Sequence, residues 1–322
     1  MKILASSLVL IVSVMVFGVS PPASAAAAYP DKPITFILPF GAGGGSDFLG
    51  RTVANAMKKY LSQPIVVLNR TGGGGAIGVT DVVRARPDGY TLGVVSNSAL
   101  VLPHIQDLTY KSSADFQPII GACDVPLGFT VNAKSPWKTL DEFVAAAKAS
   151  PGKLKVAVSS LGIPYLDMGM FTEVTGIRVN LVTTSSAAET TTQILGGHID
   201  AGLPDTVPLV GHFKAGTIRI LGLTTDERYS LFPGVPTFAE QGYKKAYVEF
   251  FLQIFGPKGM PEPVLKILHD SFKKAVEDEA VKAGMVSHGF IPHYRSTADL
   301  TRQMAAQDKL FGDLVKKLKL KQ

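Results

Sequence analysis

The sequence predicts an α/β fold of two similar lobes, each built on a doubly wound sheet. Short apolar runs alternate with segments of helical periodicity, and glycine- or serine-rich turns follow several of these runs. The same strand, loop and helix order also occurs twice along the chain. The roughly 300 residues after the apolar N-terminus exceed a comfortable single core, which favours two lobes.

The first predicted strand, residues 34–38, leads into the most distinctive loop of the chain. Pro39 ends the strand because proline cannot donate to a ladder, and the glycines within residues 41–45 leave the backbone almost bare. Ser46 and Asp47 are good N-caps for the helical pattern that follows. Free N–H groups and the positive end of a helix dipole then meet at one place, which favours binding of an anion.

The remaining elements continue this alternation. In the first lobe we predict strands at residues 65–68 and 90–95 and a helix at 76–84, after a second glycine loop at 72–75. An apolar run at 116–132 is interrupted by Pro126. In the second lobe we predict strands at 154–158, 179–182, 198–203 and 218–223, and helices at 139–150, 164–175 and 187–195.

The apolar segment 248–255 is predicted to return the chain to the first lobe, which helices from Pro263 and Thr297 close. We therefore expect residues 29–129 and 251–322 to form lobe 1 and residues 130–250 to form lobe 2. No low-complexity linker separates the lobes, so crossing strands are expected to join them and hinge motion is expected to follow.

The N-terminus predicts export. Lys2 supplies a positive start, residues 3–19 are apolar, and Ala23-Ser24-Ala25 is a cleavage signal, so residues 1–25 are interpreted as a signal peptide. A membrane anchor is the alternative, but the apolar segment is short and prolines follow it directly. Loss of Lys2 on cleavage changes the formal charge from +6 to +5.

The single cysteine and the basic C-terminal tail limit the bonds and the partners that we expect for this chain. Cys123 is the single cysteine, so an intramolecular disulfide is impossible and a buried apolar role is expected. The basic tail has no interleaved aromatics, so we interpret it as a solvated helix face and expect no nucleic-acid partner. The lysines of this tail are Lys316, Lys317, Lys319 and Lys321.

Motifs for catalysis and cofactors are weak. The Gly73, Gly75, Gly78 pattern matches a dinucleotide fingerprint, but the acidic residue expected about 20 positions later is absent. No Walker loop or Gly-x-Ser-x-Gly elbow occurs, and the six histidines show no metal-ligand spacing. We therefore expect no cofactor, metal or catalytic residue. Asp205 follows a predicted strand of the second lobe and is a candidate contact for a ligand hydroxyl or amine.

Several blocks, in order, resemble the Bug-type periplasmic solute-binding receptors of tripartite tricarboxylate transporters. They are YPDKPI at 29–34, PFGAGGGSD at 39–47, NRTGGGGAIG at 69–78, PDGYTL at 87–92, SPWKTL at 135–140, LGGHID at 195–200 and VPT at 235–237. The resemblance runs from Tyr29 almost to the C-terminus. It implies a type II, Venus-flytrap binding protein with two crossover strands that holds a small carboxylate between its lobes.

The resemblance also implies the binding residues. In lobe 1 they are Gly41, Ala42, Gly43, Gly44, Gly45, Ser46 and Asp47, to which we add Phe40. In lobe 2 they are Ser159, Ser160, Leu161 and Gly162, to which we add Thr184, Ser185 and Asp205. The chain departs from the family pattern at Tyr165, which replaces a histidine, and at residues 183–186, which replace Pro-Tyr-Lys-Gly. Loss of that lysine is expected to change which acid fits.

The sequence thus predicts a monomeric, non-enzymatic periplasmic receptor. Its expected ligand is a dicarboxylate, a tricarboxylate, an aromatic acid or an acidic amino acid, and its expected partners are membrane permease subunits. Two alternatives remain open at this point: an exported hydrolase with Ser46 or Ser160 as nucleophile, and a ligand sensor for a membrane signalling partner.

Overall fold

The computed structural model describes residues 29–320. The predicted signal peptide and residues 321–322 lie outside the described residues, so its cleavage stays a prediction. Within the described part of the chain, no helix is both long and apolar enough to cross a membrane.

The first sheet has six strands in the order β11-β4-β10-β3-β1-β2. These are β1 (Ile34–Leu38), β2 (Ile65–Asn69), β3 (Thr91–Ser96), β4 (Phe116–Asp124), β10 (Phe251–Pro257) and β11 (Ile291–Arg295). Strand β1 pairs in parallel with β2 and β3, whereas β10 lies antiparallel between β3 and β4.

The second sheet has five strands in the order β7-β6-β8-β5-β9. These are β5 (Gly128–Asn132), β6 (Lys155–Val158), β7 (Asn180–Thr183), β8 (Ala201–Leu203) and β9 (Ile218–Leu223). Strand β6 is parallel to β7 and β8, and β5 is antiparallel to β8 and β9. Apart from the edge strand β11, both sheets therefore repeat one plan, with the incoming antiparallel strand in the fourth place.

Helices cover both faces of each sheet. They are α1 (Gly45–Ala56), α2 (Ala76–Val83), α3 (Leu102–Ile105), α4 (Leu140–Ala149), α5 (Ile163–Thr175), α6 (Ala187–Leu195), α7 (Leu209–Lys214), α8 (Glu262–Glu277), α9 (Glu279–Ser287) and α10 (Thr297–Lys317). On the first sheet, α1 and α8 share one apolar cluster, and α2 and α10 contribute to another. This arrangement confirms the doubly wound α/β fold predicted from the sequence.

Two chain crossings join the sheets, as predicted. The first is the short segment between β4 and β5, and the second enters β10 after β9. The crossings pair directly, because the Val125 N–H donates to the Phe250 carbonyl at 2.9 Å. Arg295 ties the two crossings together, since its guanidinium contacts both Asp124 and Glu249 at 2.5 Å.

The apolar core does not divide as simply as the sheets. One cluster lies on a single face of the first sheet, around Phe36 and Phe272. A larger cluster runs from the other face of that sheet through α10 and α5 to Phe129 of the second sheet. The boundaries proposed for the lobes remain a prediction, and the one between residues 129 and 130 falls inside β5 (Gly128–Asn132) of the second sheet.

Four details differ from the sequence prediction. Helix α1 begins at Gly45 with Gly44 as its N-cap, so Ser46 and Asp47 lie inside the first turn and are not N-caps. Strand β8 is confined to Ala201–Leu203, and β10 begins at Phe251 because the preceding residues form the crossing. Strand β11 was not predicted, since its sequence IPHYR is short and interrupted by proline.

Candidate functional site

A small polar cavity of about 30 Å³ lies where the carboxyl ends of parallel strands from both sheets meet. In doubly wound sheets, ligands bind at this end of the strands, where the strand order reverses. The cavity is lined by Phe40, Gly44, Gly45, Ser46, Ser96, Ser159, Ser160, Ser186, Ala187, Asp205, Phe250 and Leu252. Seven of these twelve residues were predicted: Phe40, Gly44, Gly45, Ser46, Ser159, Ser160 and Asp205.

The N-terminus of α1 forms one wall of the cavity. Gly44 caps this helix in an extended conformation and supplies no side-chain hydrogen bond, so the first N–H groups need partners from elsewhere. The Gly45 N–H donates to Asp205 Oδ2 at 3.2 Å. A Cβ atom on Gly45 would lie 3.4 Å from that oxygen and 3.5 Å from the Phe290 ring, which is ordinary van der Waals contact, so this wall is closely packed.

The N-terminus of α6 forms the opposite wall. Ser186 caps this helix by accepting a hydrogen bond from the Glu189 N–H at 3.2 Å. A Cβ atom on Gly44 would lie 3.8 Å from the Ala187 nitrogen, so the starts of α1 and α6 face each other closely. Two positive helix ends therefore converge on one cavity, which is a stronger anion site than either end alone.

The serine loop after β6 completes the wall from the second sheet. Ser160 is buried, and its Oγ accepts a hydrogen bond from the Gly162 N–H at 3.2 Å, which leaves its hydroxyl proton free to donate. Gly162 itself packs against Ser98 so tightly that a Cβ atom would lie 2.1 Å from the Ser98 Cβ. Ser98 Oγ in turn accepts from the Ile163 N–H at 2.9 Å, which fixes the start of α5.

Ser96 was missed by the sequence prediction. It is the last residue of β3, only 1 % of its surface is exposed, and its Oγ has no hydrogen-bond partner among the described residues. A buried hydroxyl without a partner is uncommon in folded proteins. The rule that ligands bind at the carboxyl ends of central parallel strands could have identified it. The other lining residues not predicted are Ser186, Ala187, Phe250 and Leu252.

Of the described residues that line the cavity, Asp205 is the single ionisable one. Its two carboxylate oxygens accept hydrogen bonds from the N–H groups of Gly45, at 3.2 Å, and Val207, at 3.1 Å. Among residues 29–320, no lysine, arginine or histidine lines the cavity beside it. Burial raises the pKa of Asp205 from 3.8 to about 6, against the lowering effect of its two backbone hydrogen bonds.

Asp47 lies on the outer side of α1 and faces a separate surface groove together with Arg51 and His288. It accepts hydrogen bonds from Arg51 Nε and Asn69 Nδ2, both at 3.0 Å, and from the Gly43 N–H at 3.3 Å. Burial alone would raise the pKa of Asp47, but these hydrogen bonds outweigh it and lower that pKa. The fold therefore uses Asp47 to fasten the glycine loop to α1 and β2.

A second compartment adjoins the cavity and contains three more predicted residues: Leu161, Thr184 and Ser185. The Ser185 hydroxyl donates a hydrogen bond to the Glu189 carboxylate at 2.6 Å. The hydroxyls of Thr184 and Thr190 form a hydrogen bond of 2.6 Å. Glycines 72–75 form another wall, and all four have positive φ angles between 58° and 125°. Glycine is needed there because other residues rarely adopt that backbone conformation.

The remaining predicted residues, Gly41, Ala42, Gly43 and Gly162, do not line the cavity. The Gly41 N–H approaches the Ser185 carbonyl at 3.4 Å, which joins the loops of the two sheets. Gly43 lies in the groove of Asp47, with φ 81°, and Ala42 is exposed. Gly162 contributes through its contact with Ser98 rather than through the lining.

The residues that line the cavity do not support the alternative of a serine hydrolase with Ser46 or Ser160 as nucleophile. Among the described residues that line the cavity, no histidine accompanies Ser46 or Ser160. Among residues 29–320, one group of side chains is close enough to hold a metal: Asp124, Glu249 and His293. The Arg295 guanidinium contacts both carboxylates of this group.

The comparisons with known proteins agree with this geometry. Residues 49–320 match the model of the tripartite tricarboxylate transporter family receptor. The chain belongs to this family. It is 32 % identical over 295 residues to protein BugT of Bordetella pertussis, covering 90 % of each chain. Proteins of this family are periplasmic solute-binding receptors, and the resemblance inferred from the sequence is confirmed.

Solved structures show the same fold. A periplasmic transporter superposes with a TM-score of 0.87 at 30 % identity, covering 91 % of this chain and 99 % of that one. MatC from Rhodopseudomonas palustris, solved with bound malate, superposes with a TM-score of 0.84 at 24 % identity. That match covers 89 % of this chain and 100 % of MatC. The two-lobed binding-protein architecture is therefore confirmed.

Proposed function

We propose that this chain is an exported, non-enzymatic receptor that captures a small organic carboxylate and delivers it to a membrane permease. The ligand would lie in the cavity between the starts of α1 and α6, with the serine loop after β6 above it. Malate in MatC, a protein of the same fold, supports a small carboxylate as the ligand class. The predicted signal peptide and the family support export to the periplasm and a permease partner.

The observation that carries the proposal is the convergence of two helix N-termini on one buried, polar cavity. Capture at micromolar concentration needs ~8 kcal/mol of binding free energy. One helix terminus contributes at most ~2 kcal/mol, and each charge-assisted hydrogen bond adds roughly 1.5–3 kcal/mol. A single terminus is therefore insufficient, whereas two termini with the hydroxyls of Ser96 and Ser160 reach the required total.

A thermal-shift screen followed by calorimetry tests the proposal. The panel contains dicarboxylates, tricarboxylates, aromatic acids and amino acids, and at least one acid should raise the melting temperature and bind stoichiometrically. Absence of binding by every acid, with a correctly folded protein, would refute the proposal.

The Ser46→Ala variant locates the ligand. Ser46 lies in the first turn of α1 at the cavity wall, so the variant should lose about one charge-assisted hydrogen bond and bind roughly tenfold more weakly. Its unliganded melting temperature should stay unchanged, because alanine suits a helix at least as well as serine. Ser287→Ala, at an exposed site outside the cavity, is the matched control. Equal affinity in all three proteins would remove Ser46 from the site.

A further inference from the structure

The cavity carries a negative charge of its own, which an ordinary anion site would avoid. Asp205 is 8 % exposed and is the single ionisable residue in the lining. Its carboxylate lies against the same α1 N-terminus that is proposed to attract the ligand, 3.2 Å from the Gly45 nitrogen. Any bound acid therefore shares the cavity with a buried carboxylate.

The Asp205 carboxylate can accept more hydrogen bonds than it does in the structure. A carboxylate has about four acceptor sites, and the N–H groups of Gly45 and Val207 occupy one on each oxygen. Cationic side chains on the neighbouring elements are engaged elsewhere, Arg51 with Asp47 and Arg295 with Asp124. The Ser96 hydroxyl, buried in the same cavity, also lacks a partner among the described residues.

A buried carboxylate without a cation costs free energy, which the α1 N-terminus and the two backbone hydrogen bonds of Asp205 offset only in part. Such unbalanced groups in clefts mark functional sites, because a ligand can supply the missing charge. A metal ion would need further oxygen, nitrogen or sulfur ligands. The one group of three such residues found among residues 29–320 excludes Asp205. The missing partner therefore matches an organic cation better than a metal.

We propose that the ligand is zwitterionic, an amino acid whose carboxylate binds the converging helix N-termini and whose protonated amine binds Asp205. This inference rests on the proposed receptor function and narrows its ligand class. The charges support it: a dicarboxylate dianion would place three negative charges in a cavity lined by no basic side chain. A neutral zwitterion adds no net charge to the cavity, so the net charge there remains that of Asp205 alone. The protonated amine of the ligand then faces the Asp205 carboxylate.

Matched pairs of ligands test this inference by calorimetry at pH 7.5. Each pair is an amino acid and the same acid without its amine: aspartate and succinate, glutamate and glutarate, leucine and 4-methylpentanoate, and phenylalanine and 3-phenylpropanoate. For the pair that binds, the wild-type protein should prefer the amino acid at least tenfold. Equal or tighter binding of the acid without the amine would overturn the inference.

Variants of Asp205 assign the preference to this side chain. Asp205→Asn keeps the shape and removes the charge, so the ratio of affinities within a pair should fall to about one or invert. Asp205→Glu, which keeps the charge, should retain a preference for the amino acid. An unchanged ratio in Asp205→Asn would overturn the role of Asp205.

The design separates the two levels of proposal. Binding of acids without an amine preference refutes the zwitterion but leaves the receptor function intact, whereas no binding by either member of any pair refutes the receptor function itself. The wild-type ratio needs no variant, so a misfolded variant, detected by circular dichroism, would still leave the inference open to refutation.

Discussion

Asp47 and Asp205 both lie at the start of α1, yet the fold surrounds them with different partners. Asp47 accepts hydrogen bonds from a guanidinium, an amide and a backbone N–H, and its pKa is lowered. Asp205 has two backbone N–H partners and no cation, and burial raises its pKa to about 6. One carboxylate is fully accommodated by the chain, and the other is not.

The difference separates a structural role from a functional one. Asp47 fastens the glycine loop, so its interactions are complete in the unliganded protein. Asp205 weakens the unliganded protein at neutral pH, because its buried charge has no counter-ion. A residue that is costly in the empty cavity and lies where a ligand would bind is more informative about function than one that is well paired.

The largest effect that we expect is on the pH dependence of stability, when the wild-type protein is compared with the Asp205→Asn variant. Because the folded-state pKa of Asp205 is raised, protonation favours the folded state; this stabilisation is fully present below pH 3.8 and is lost as the pH rises through about 6. The difference between 3.8 and about 6 corresponds to ~3 kcal/mol. The free energy of unfolding of the wild type minus that of Asp205→Asn should therefore rise by this amount between pH 7.5 and pH 3.5.

Urea unfolding of the unliganded proteins at several pH values measures this difference. The ionisable groups on the surrounding elements are Asp47 and Arg51 on α1, Glu189 on α6, Cys123 and Asp124 on β4, Arg295 on β11, and Tyr229. Both proteins share them, so their contributions cancel in the subtraction. Asp107→Asn, at an exposed site, is the control; because Lys111 lowers the pKa of Asp107, its difference should fall rather than rise toward pH 3.5. A flat difference for Asp205→Asn would contradict the unpaired charge.

Asp47→Asn should change the free energy of unfolding with a pH dependence opposite to that of Asp205→Asn, and by a smaller amount. Replacement weakens the hydrogen bonds from Arg51 and Asn69, so we expect a loss of about 1–2 kcal/mol in the free energy of unfolding at pH 7. Since the pKa of Asp47 is lowered, this contribution is present above pH 3.8 and disappears as the pH falls through the folded-state pKa. Chemical unfolding at pH 7 and pH 3 measures it, and equal losses at both values would break the comparison.

Ser96→Ala should separate binding from stability. Its hydroxyl has no partner in the unliganded cavity, so the free energy of unfolding should change by less than about 0.5 kcal/mol. Ligand affinity should fall about three- to tenfold, because one hydrogen bond to the ligand is lost. Calorimetry with the acid found in the screen measures the second effect. A destabilised variant with unchanged affinity would place Ser96 among the structural residues.

Arg51→Gln should have the smallest effect. The Arg51 side chain is 52 % exposed, and exposed ion pairs contribute ~0–1 kcal/mol. The free energy of unfolding should fall by less than about 1 kcal/mol, and less still at high salt. A larger loss, measured by urea unfolding at low and high salt, would show that Asp47 depends on this one partner more than on Asn69.

Local signals predicted most of the fold. The apolar run of β1 and the spacing of α6 gave the bounds seen in the structure, because both depend on residues close in the chain. The start of α1 was misplaced because the partner of its Gly45 N–H is Asp205, which lies 160 residues away. Side-chain propensity at Ser46 could not reveal that partner.

The site was predicted only in part for a similar reason. Asp205 and Ser160 follow strands and could be nominated from local pattern. The absence of a basic side chain beside Asp205 is a property of the assembled cavity, to which five loops contribute. The isolated hydroxyl of Ser96 likewise becomes visible only when the packing around β3 is known.

The contacts between the loops of the two sheets also bear on the kinetics of ligand release. The Ile163 N–H binds Ser98 Oγ at 2.9 Å, the Gly45 N–H binds Asp205 at 3.2 Å, and Gly41 approaches Ser185 at 3.4 Å. None of these contacts involves a ligand. We expect these contacts to separate when a ligand is released, so its residence time should depend on the opening of the protein as well as on the affinity of the individual acid.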